Sequence, residues 1–421
     1  MVQRDAVETR VVLVGSLDTK AAEYDLLRSE LERAGVGTVL VDVGVLGTPG
    51  IRPDVSSEEV ARAAGANLAS LAAHGDRGEA VATMARGAAH ILTRLRQSDR
   101  VDGLMVAGGS NAGTTFSALA SQLPFGAPKV LLSTIVIGQT RPYAGIADAT
   151  MINPVVDIAG LNSLSWRSLV NAAGAMVGML ATQSRTPPVS AGRVVAATML
   201  GVTTTGATAM RERLEELGYE VLIFHANGVG GEAMEHLIAQ GVIAGVADLT
   251  TAEIADEVVG GAYPAGPARL TAATRAGIPQ VVSLGGLDIV KFGAPETVPE
   301  RFADRLLYRH NAAVTLMRTS VEEARAIGAR VGHALAGATP GTARVLVPER
   351  GFSSMSTPGE RVSSEDADRA LVDALADSRP TNVPVDAVDQ DCNSPAFAHR
   401  VAESLHELMT TRHAAETERT S

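Results

Sequence analysis

The stretch Val101–Thr115, VDGLMVAGGSNAGTT, is a short aliphatic run that empties into a loop of small and hydroxyl residues. Leu104, Met105 and Val106 suit a strand buried on both faces, the hallmark of a parallel sheet. Gly108, Gly109 and Gly113 leave backbone amides open to close approach. Ser110, Asn111, Thr114 and Thr115 add polar groups, and a helix running on through Gln122 aims its positive end back at the loop. Alone, the stretch reads equally as a phosphate cradle or as a tight strand-to-helix turn whose glycines serve packing. Recurrence of the pattern favours the first.

Towards the N-terminus, Val11–Val14 is a second aliphatic run, and GSLDTK, Gly15 to Lys20, follows it. Tyr24, Leu27, Leu31 and Ala34 recur at helical spacing and Gly35 ends them. Thr38–Val43 reads as a strand, Ser56 and Glu59 stand in capping-box spacing, and Val81, Met84, Ala88, Ile91 and Leu95 mark a longer helix. Lys129–Leu132 is another strand, ending in Ser133 and Thr134. A helix from Asn162 to about Thr182 precedes Pro187 and Pro188.

From Arg193 the alternation restarts. Val194–Thr198 leads into MLGVTTTG, Glu220–His225 into ANGVGG, Val242–Asp248 into LTTAE, and Gln280–Leu284 into Gly285 and Gly286. Val345–Val347 and Val385–Val388 follow, with a capping box at Ser320 and Glu323 and a closing helix over 395–409. Strands alternating with helices predict an α/β chain of two Rossmann-like, doubly wound parallel-sheet domains, residues 1–187 and 188–421, facing a central cleft. Ligands are then expected beyond the carboxyl ends of the strands.

The 421 residues carry a net charge of −11 with no basic run to offset it, which excludes a polyanionic nucleic acid as partner. With 46% hydrophobic but only 3% aromatic residues and 42 glycines, the core is aliphatic and the turns are tight. The single cysteine, Cys392, leaves no disulfide framework within the chain and points to a reducing compartment. No run is apolar and long enough for a signal peptide or a bilayer span, so the expectation is a cytoplasmic protein with no membrane partner.

GSLDTK sits where a phosphate loop would but lacks the spacing of a P-loop, since Gly15 is its only glycine. Lys20 could neutralise phosphate, Asp18 could hold a metal-bound water or a hydroxyl, and Thr19 could cap the next helix; a solvated helix start with a surface lysine fits equally. The candidate ligand-binding set comprises Gly15, Asp18, Thr19, Lys20, Gly108, Gly109, Ser110, Asn111, Gly113, Thr114, Ser133, Thr134, Gly228, Gly230 and Gly231. His225 ends a strand beside a glycine loop, which suits a general acid or base, and His310 in RHNAAVT is a similar candidate. Asp248 and Glu253 in DLTTAE could place carboxylates near a magnesium ion. These four are the catalytic candidates. The nine histidines form no HxxxH pair, which argues against zinc.

GSLDTK, GGSNAGTT, PKVLLST, VVDIAGLN, NAAGAM, TMLGVTTTG, FHANGVGG, DLTTAE and HNAAVTLMRT occur in order between Val11 and Ala402. With them the chain resembles the Tm-one-like family, whose ATP-binding domain forms the N-terminal part of the tomato mosaic virus resistance protein. It departs from that family's usual glycine loop, closer to GGSGGT, at Asn111 and Ala112, and has Asn227 where threonine is common. The resemblance implies a two-lobed α/β protein that binds ATP, with Mg2+, as a homodimer. The leading expectation is an enzyme using ATP on an unidentified small molecule held between the lobes, by phosphoryl transfer or ATP-driven activation. The alternatives are a nucleotide-sensing interaction module without turnover and a nucleotide-sugar enzyme of epimerase- or glycosyltransferase-like architecture.

Overall fold

A computed structural model describes residues 9–98, 101–136, 147–183, 193–360 and 362–420, with side chains through residue 413. Pro187 and Pro188 lie outside the described residues, as do residues 1–8. The chain divides into two compact units, Met1–Pro188 and Val189–Ser421.

Unit 1 is built on five strands: β1 (Arg10–Gly15), β2 (Gly37–Asp42), β3 (Gly103–Gly108), β4 (Lys129–Ser133) and β5 (Thr150–Ile152). All pair in parallel, in the order β2-β1-β3-β4-β5. Alternation along each strand sends side chains to opposite faces. Val11 and Leu13 pack with Tyr24, Leu27, Leu169 and Met176 under the helices Ala21–Arg33 and Ser163–Thr182. Val12 and Val14 pack with Met84, Ile91 and Phe116 under the helices Arg77–Gln97 and Ser110–Ala120. Both expected capping boxes form, Ser56 with Glu59 and Ser320 with Glu323. β5 was not anticipated; three residues are too few to show a period.

Unit 2 repeats the winding. β6 (Val194–Met199), β7 (Glu220–His225), β8 (Gly245–Thr250) and β9 (Gln280–Gly285) come first. β10 (Ile289–Phe292), β11 (Leu307–Arg309) and β12 (Thr315–Arg318) form a separate antiparallel sheet in the order β10-β12-β11. β13 (Ala343–Pro348) and β14 (Val385–Val388) return to the main sheet, whose order is β14-β13-β9-β8-β6-β7. Read from its first strand, this is the order of unit 1 extended by one strand. In both units the winding reverses beside the first strand, between β1 and β3 and between β6 and β8. In open parallel sheets ligands bind at that reversal, outside the carboxyl ends of the strands.

Candidate functional site

In unit 1 the two loops singled out in the sequence meet at the reversal. Gly15, Ser16, Thr19 and Lys20 from the end of β1 and Gly108, Gly109, Ser110 and Asn111 from the end of β3 line one cavity of about 320 Å3. Beyond Val14 and Val106 the two strands no longer pair, which leaves room for it. Gly108 has φ +148°, a conformation that side chains disfavour, and a Cβ there would stand 3.3 Å from Lys20 Cε. At Gly109 φ is −86°, and a Cβ would meet nothing within 4 Å among the described residues.

The helix Ser110–Ala120 has no side-chain cap at its N-terminus. Ala112 N and Gly113 N donate to Gly109 O, whereas the amides of Ser110 and Asn111 have no acceptor among the described residues. They are two of the orphan donors every helix start leaves. Lys20 Nζ reaches the carbonyl of Ile158, and Arg77 and Asp157 also line the cavity. Arg77 was not identified from sequence: it lies 57 positions beyond Lys20 at the start of its helix, with no glycine motif to mark it.

An adjoining cavity of about 540 Å3 shares Ser16, Thr19, Arg77 and Asn111 with the first and has apolar walls at Val45, Leu46, Leu71, Val81 and Met84. Asp18 lies on this side. Its Oδ2 accepts from Leu46 N at 3.1 Å, and its Oδ1 is buried with no hydrogen-bond partner. Asp42 stands behind, accepting Leu17 N at 3.0 Å and Gly44 N at 2.8 Å; burial raises its carboxyl pKa above the ordinary value against those two bonds. Four other candidates support the loop without lining either cavity. Gly113 and Thr114 lie within the helix, the Ser133 hydroxyl donates to Gly109 O at 3.2 Å, and Thr134 opens a short turn.

Unit 2 places its candidates differently. His225 at the end of β7 and His310 after β11 line one cavity of about 330 Å3, with Asn227, Tyr263, Lys291 and Asn311. Asp248 and Glu253 are elsewhere, buried around Arg269, which is itself fully buried. Arg269 meets Asp248 at 2.5 and 2.8 Å, Glu253 at 2.7 Å and Glu235 at 3.4 Å. Burial opposes the guanidinium charge, but the three carboxylates outweigh it and hold its pKa well above the ordinary value. Glu253 also accepts from the amides of Gly228 at 2.6 Å and Gly231 at 3.1 Å, while Gly230 N donates to Asn227. The helix start read as an anion site is therefore occupied by the chain's own carboxylate, and Gly231 is needed because a Cβ would collide with it at 2.1 Å. Among the described residues, no three His, Cys, Asp or Glu side chains cluster as metal ligands would, and no helix is long and apolar enough to cross a membrane.

Two family models together match most of the chain: the N-terminal domain of the uncharacterised protein family UPF0261 over residues 9–185 and its C-terminal domain over residues 193–409. The chain belongs to the UPF0261 family. A UPF0261 protein of Clostridium tetani is 43% identical over 402 residues, spanning 95% of this chain and 99% of that protein. A UPF0261 protein of Rhizobium meliloti is 40% identical over 404 residues, with the same coverage. The ToMV resistance protein Tm-1(GCR237) of Solanum lycopersicum is 37% identical over 338 residues, 79% of this chain but 45% of the tomato protein. The resemblance read from the loops is thus to relatives of this UPF0261 chain. Among solved structures, a UDP-N-acetylglucosamine 2-epimerase aligns over 89% of this chain and 92% of its own at 12% identity and a TM-score of 0.24. A spinosyn rhamnosyltransferase complexed with thymidine diphosphate aligns over 97% and 100% at 11% identity and a TM-score of 0.22. Likeness at this level carries no argument about ligand.

Proposed function

We propose that unit 1 binds ATP with Mg2+ and that the chain is an enzyme using the nucleotide on a small molecule. The observation that carries this reading is the convergence of GSLDTK and GGSNAGTT on one cavity at the reversal of the sheet, with two free helix-start amides. In this reading the phosphates lie against the amides of Ser110 and Asn111, with Lys20 and Arg77 balancing their charge. The adenine lies along the apolar walls of the adjoining cavity, at Val45, Leu71 and Met84. Asp157, at the phosphate cavity, and Asp18, whose Oδ1 lacks a partner, are the carboxylates within reach of a bound magnesium ion and its waters. The protein's contribution is to exclude water and place charge around the phosphates.

Titration calorimetry and thermal melting of the full chain with ATP and magnesium test the proposal. Ligand at about 100 times its dissociation constant is expected to stabilise the fold by roughly 2.7 kcal/mol. The absence of both heat and melting shift up to millimolar ATP would overturn it. Binding without turnover, against every small molecule offered, would leave the nucleotide site and replace the enzyme by a nucleotide-sensing module. A homodimer is part of the same proposal. On the helix Ser163–Thr182, Gly174 and Gly178 have nothing among the described residues within 4 Å of where a Cβ would stand, so packing against those residues does not require them. Light scattering is expected to give twice the chain mass of 43.4 kDa.

A further inference from the structure

The cavity of unit 2 is a site of a different kind. We infer that it binds a small carboxylic acid bearing a short apolar group, independently of the nucleotide reading, since every residue that forms it belongs to unit 2. Its floor is aliphatic, from Leu200, Val202, Ile289, Val314 and Leu316. Ile289 and Leu316 come from the antiparallel sheet inserted after β9, which therefore has a role beyond the winding of the main sheet.

The polar groups around that floor are biased towards donors. Asn227 Oδ1 accepts from Gly230 N at 3.4 Å and Asn311 Oδ1 accepts from Ala313 N at 2.8 Å, so the side-chain NH2 group of each remains a donor. The amides of Gly201 and Val202, at the start of the turn after β6, have no acceptor among the described residues. Lys291 Nζ pairs with the Asp256 carboxylate at 2.8 Å and donates to Ala226 O at 3.4 Å. The His225 and His310 imidazoles donate in either protonation state, and no carboxylate lines the cavity among the described residues.

A ligand that answers such a set offers acceptors and no donors. A carboxylate, with one negative charge, fits better than a phosphate ester, with up to two, because Lys291 at the cavity is already paired with Asp256, and the aliphatic floor requires an apolar part. The volume, about 330 Å3, is at the small end of the range of ligand pockets, roughly 300–1,000 Å3.

The experiment is saturation-transfer NMR on the full chain with butyrate, isovalerate, benzoate and inorganic phosphate, each at millimolar concentration. At least one of the carboxylates is expected to bind and to move the Hε1 resonances of His225 and His310, with phosphate at least tenfold weaker. Gly201→Val, placed where a Cβ would meet nothing within 4 Å among the described residues, is expected to weaken binding at least tenfold, and Asn311→Ala severalfold. The inference is overturned if none of the three carboxylates binds, if phosphate binds as tightly, or if Gly201→Val, shown folded by circular dichroism, keeps the parent affinity. Histidine resonances that stay fixed while a carboxylate binds would also overturn it, by placing that ligand elsewhere.

Discussion

The hydroxyl of Tyr24 accepts a hydrogen bond from the amide of Ala107 at 2.9 Å, on the strand that forms the far side of the candidate phosphate cavity. The same hydroxyl reaches the carbonyl of Val14, so one phenol bridges β1 and β3 where their pairing stops. Gly15 makes this possible, because a Cβ there would stand 2.1 Å from Tyr24 Cζ. Its glycine is thus explained by packing beneath the cavity as much as by room for a ligand. Tyr24→Phe keeps the ring and removes the bridge, leaving buried backbone groups without a partner. It is expected to cost about 1–3 kcal/mol in urea unfolding. An unchanged unfolding midpoint would show that another group closes the gap.

Asp42 provides a pH-dependent test of the same region. Burial raises its native pKa above the ordinary 3.8, so the native state holds the proton more tightly than the unfolded chain. Stability from this group is therefore present at the acid end and is lost as pH rises from about 3.8 through the native pKa. Asp42→Asn retains an oxygen for the amides of Leu17 and Gly44 and removes the charge. The stability of the variant relative to the parent is expected to be greater at pH 7 than at pH 4, measured by urea unfolding at both. A difference independent of pH would rule out the buried charge as the cause.

Arg269 anchors unit 2 by facing three buried or nearly buried carboxylates. Arg269→Met fills similar space but strands Asp248 and Glu253 without their counter-charge. A loss of about 3–5 kcal/mol is expected, because removing one partner leaves the other charges buried and unpaired. Burial already pushes the Glu235 carboxyl above its ordinary range. Denaturant unfolding of the variant reads the loss, and a change below about 1 kcal/mol would mean the cluster relaxes into water.

What was legible from the sequence was local. Aliphatic runs ending in GSLDTK and GGSNAGTT announce strands and their loops, because strand burial and loop glycines act within a few residues. Ser56 with Glu59, and Ser320 with Glu323, are legible for the same reason. The antiparallel sheet was not, since strands such as Leu307–Arg309 are too short to count an alternation. Nor was the fate of the glycines after β7. Gly228 and Gly231 look like an anion loop, and they are one, but the anion is Glu253, 25 and 22 positions along the chain. Nothing in the neighbouring sequence marks Arg269, whose carboxylate partners come from 16 to 34 positions away.

The neighbouring glycines of the unit 1 loop separate backbone strain from occupation of the cavity. Gly108 has a positive φ, at +148°, while Gly109 is at −86° with open space among the described residues where a Cβ would stand. Gly108→Ala therefore forces a side chain into a disfavoured backbone conformation, within 3.2 Å of Ala112 Cβ, and is expected to cost about 1–3 kcal/mol of stability. Gly109→Val has no such conflict with the chain and places its methyl groups at the cavity wall beside the free amides of Ser110 and Asn111. It is expected to leave the unfolding midpoint within about 1 kcal/mol of the parent while reducing ATP affinity at least a hundredfold, about 2.7 kcal/mol. Calorimetric titration and urea unfolding of the two variants side by side read the two effects. A folded Gly109→Val chain that binds ATP as the parent does would make the loop a turn and nothing more.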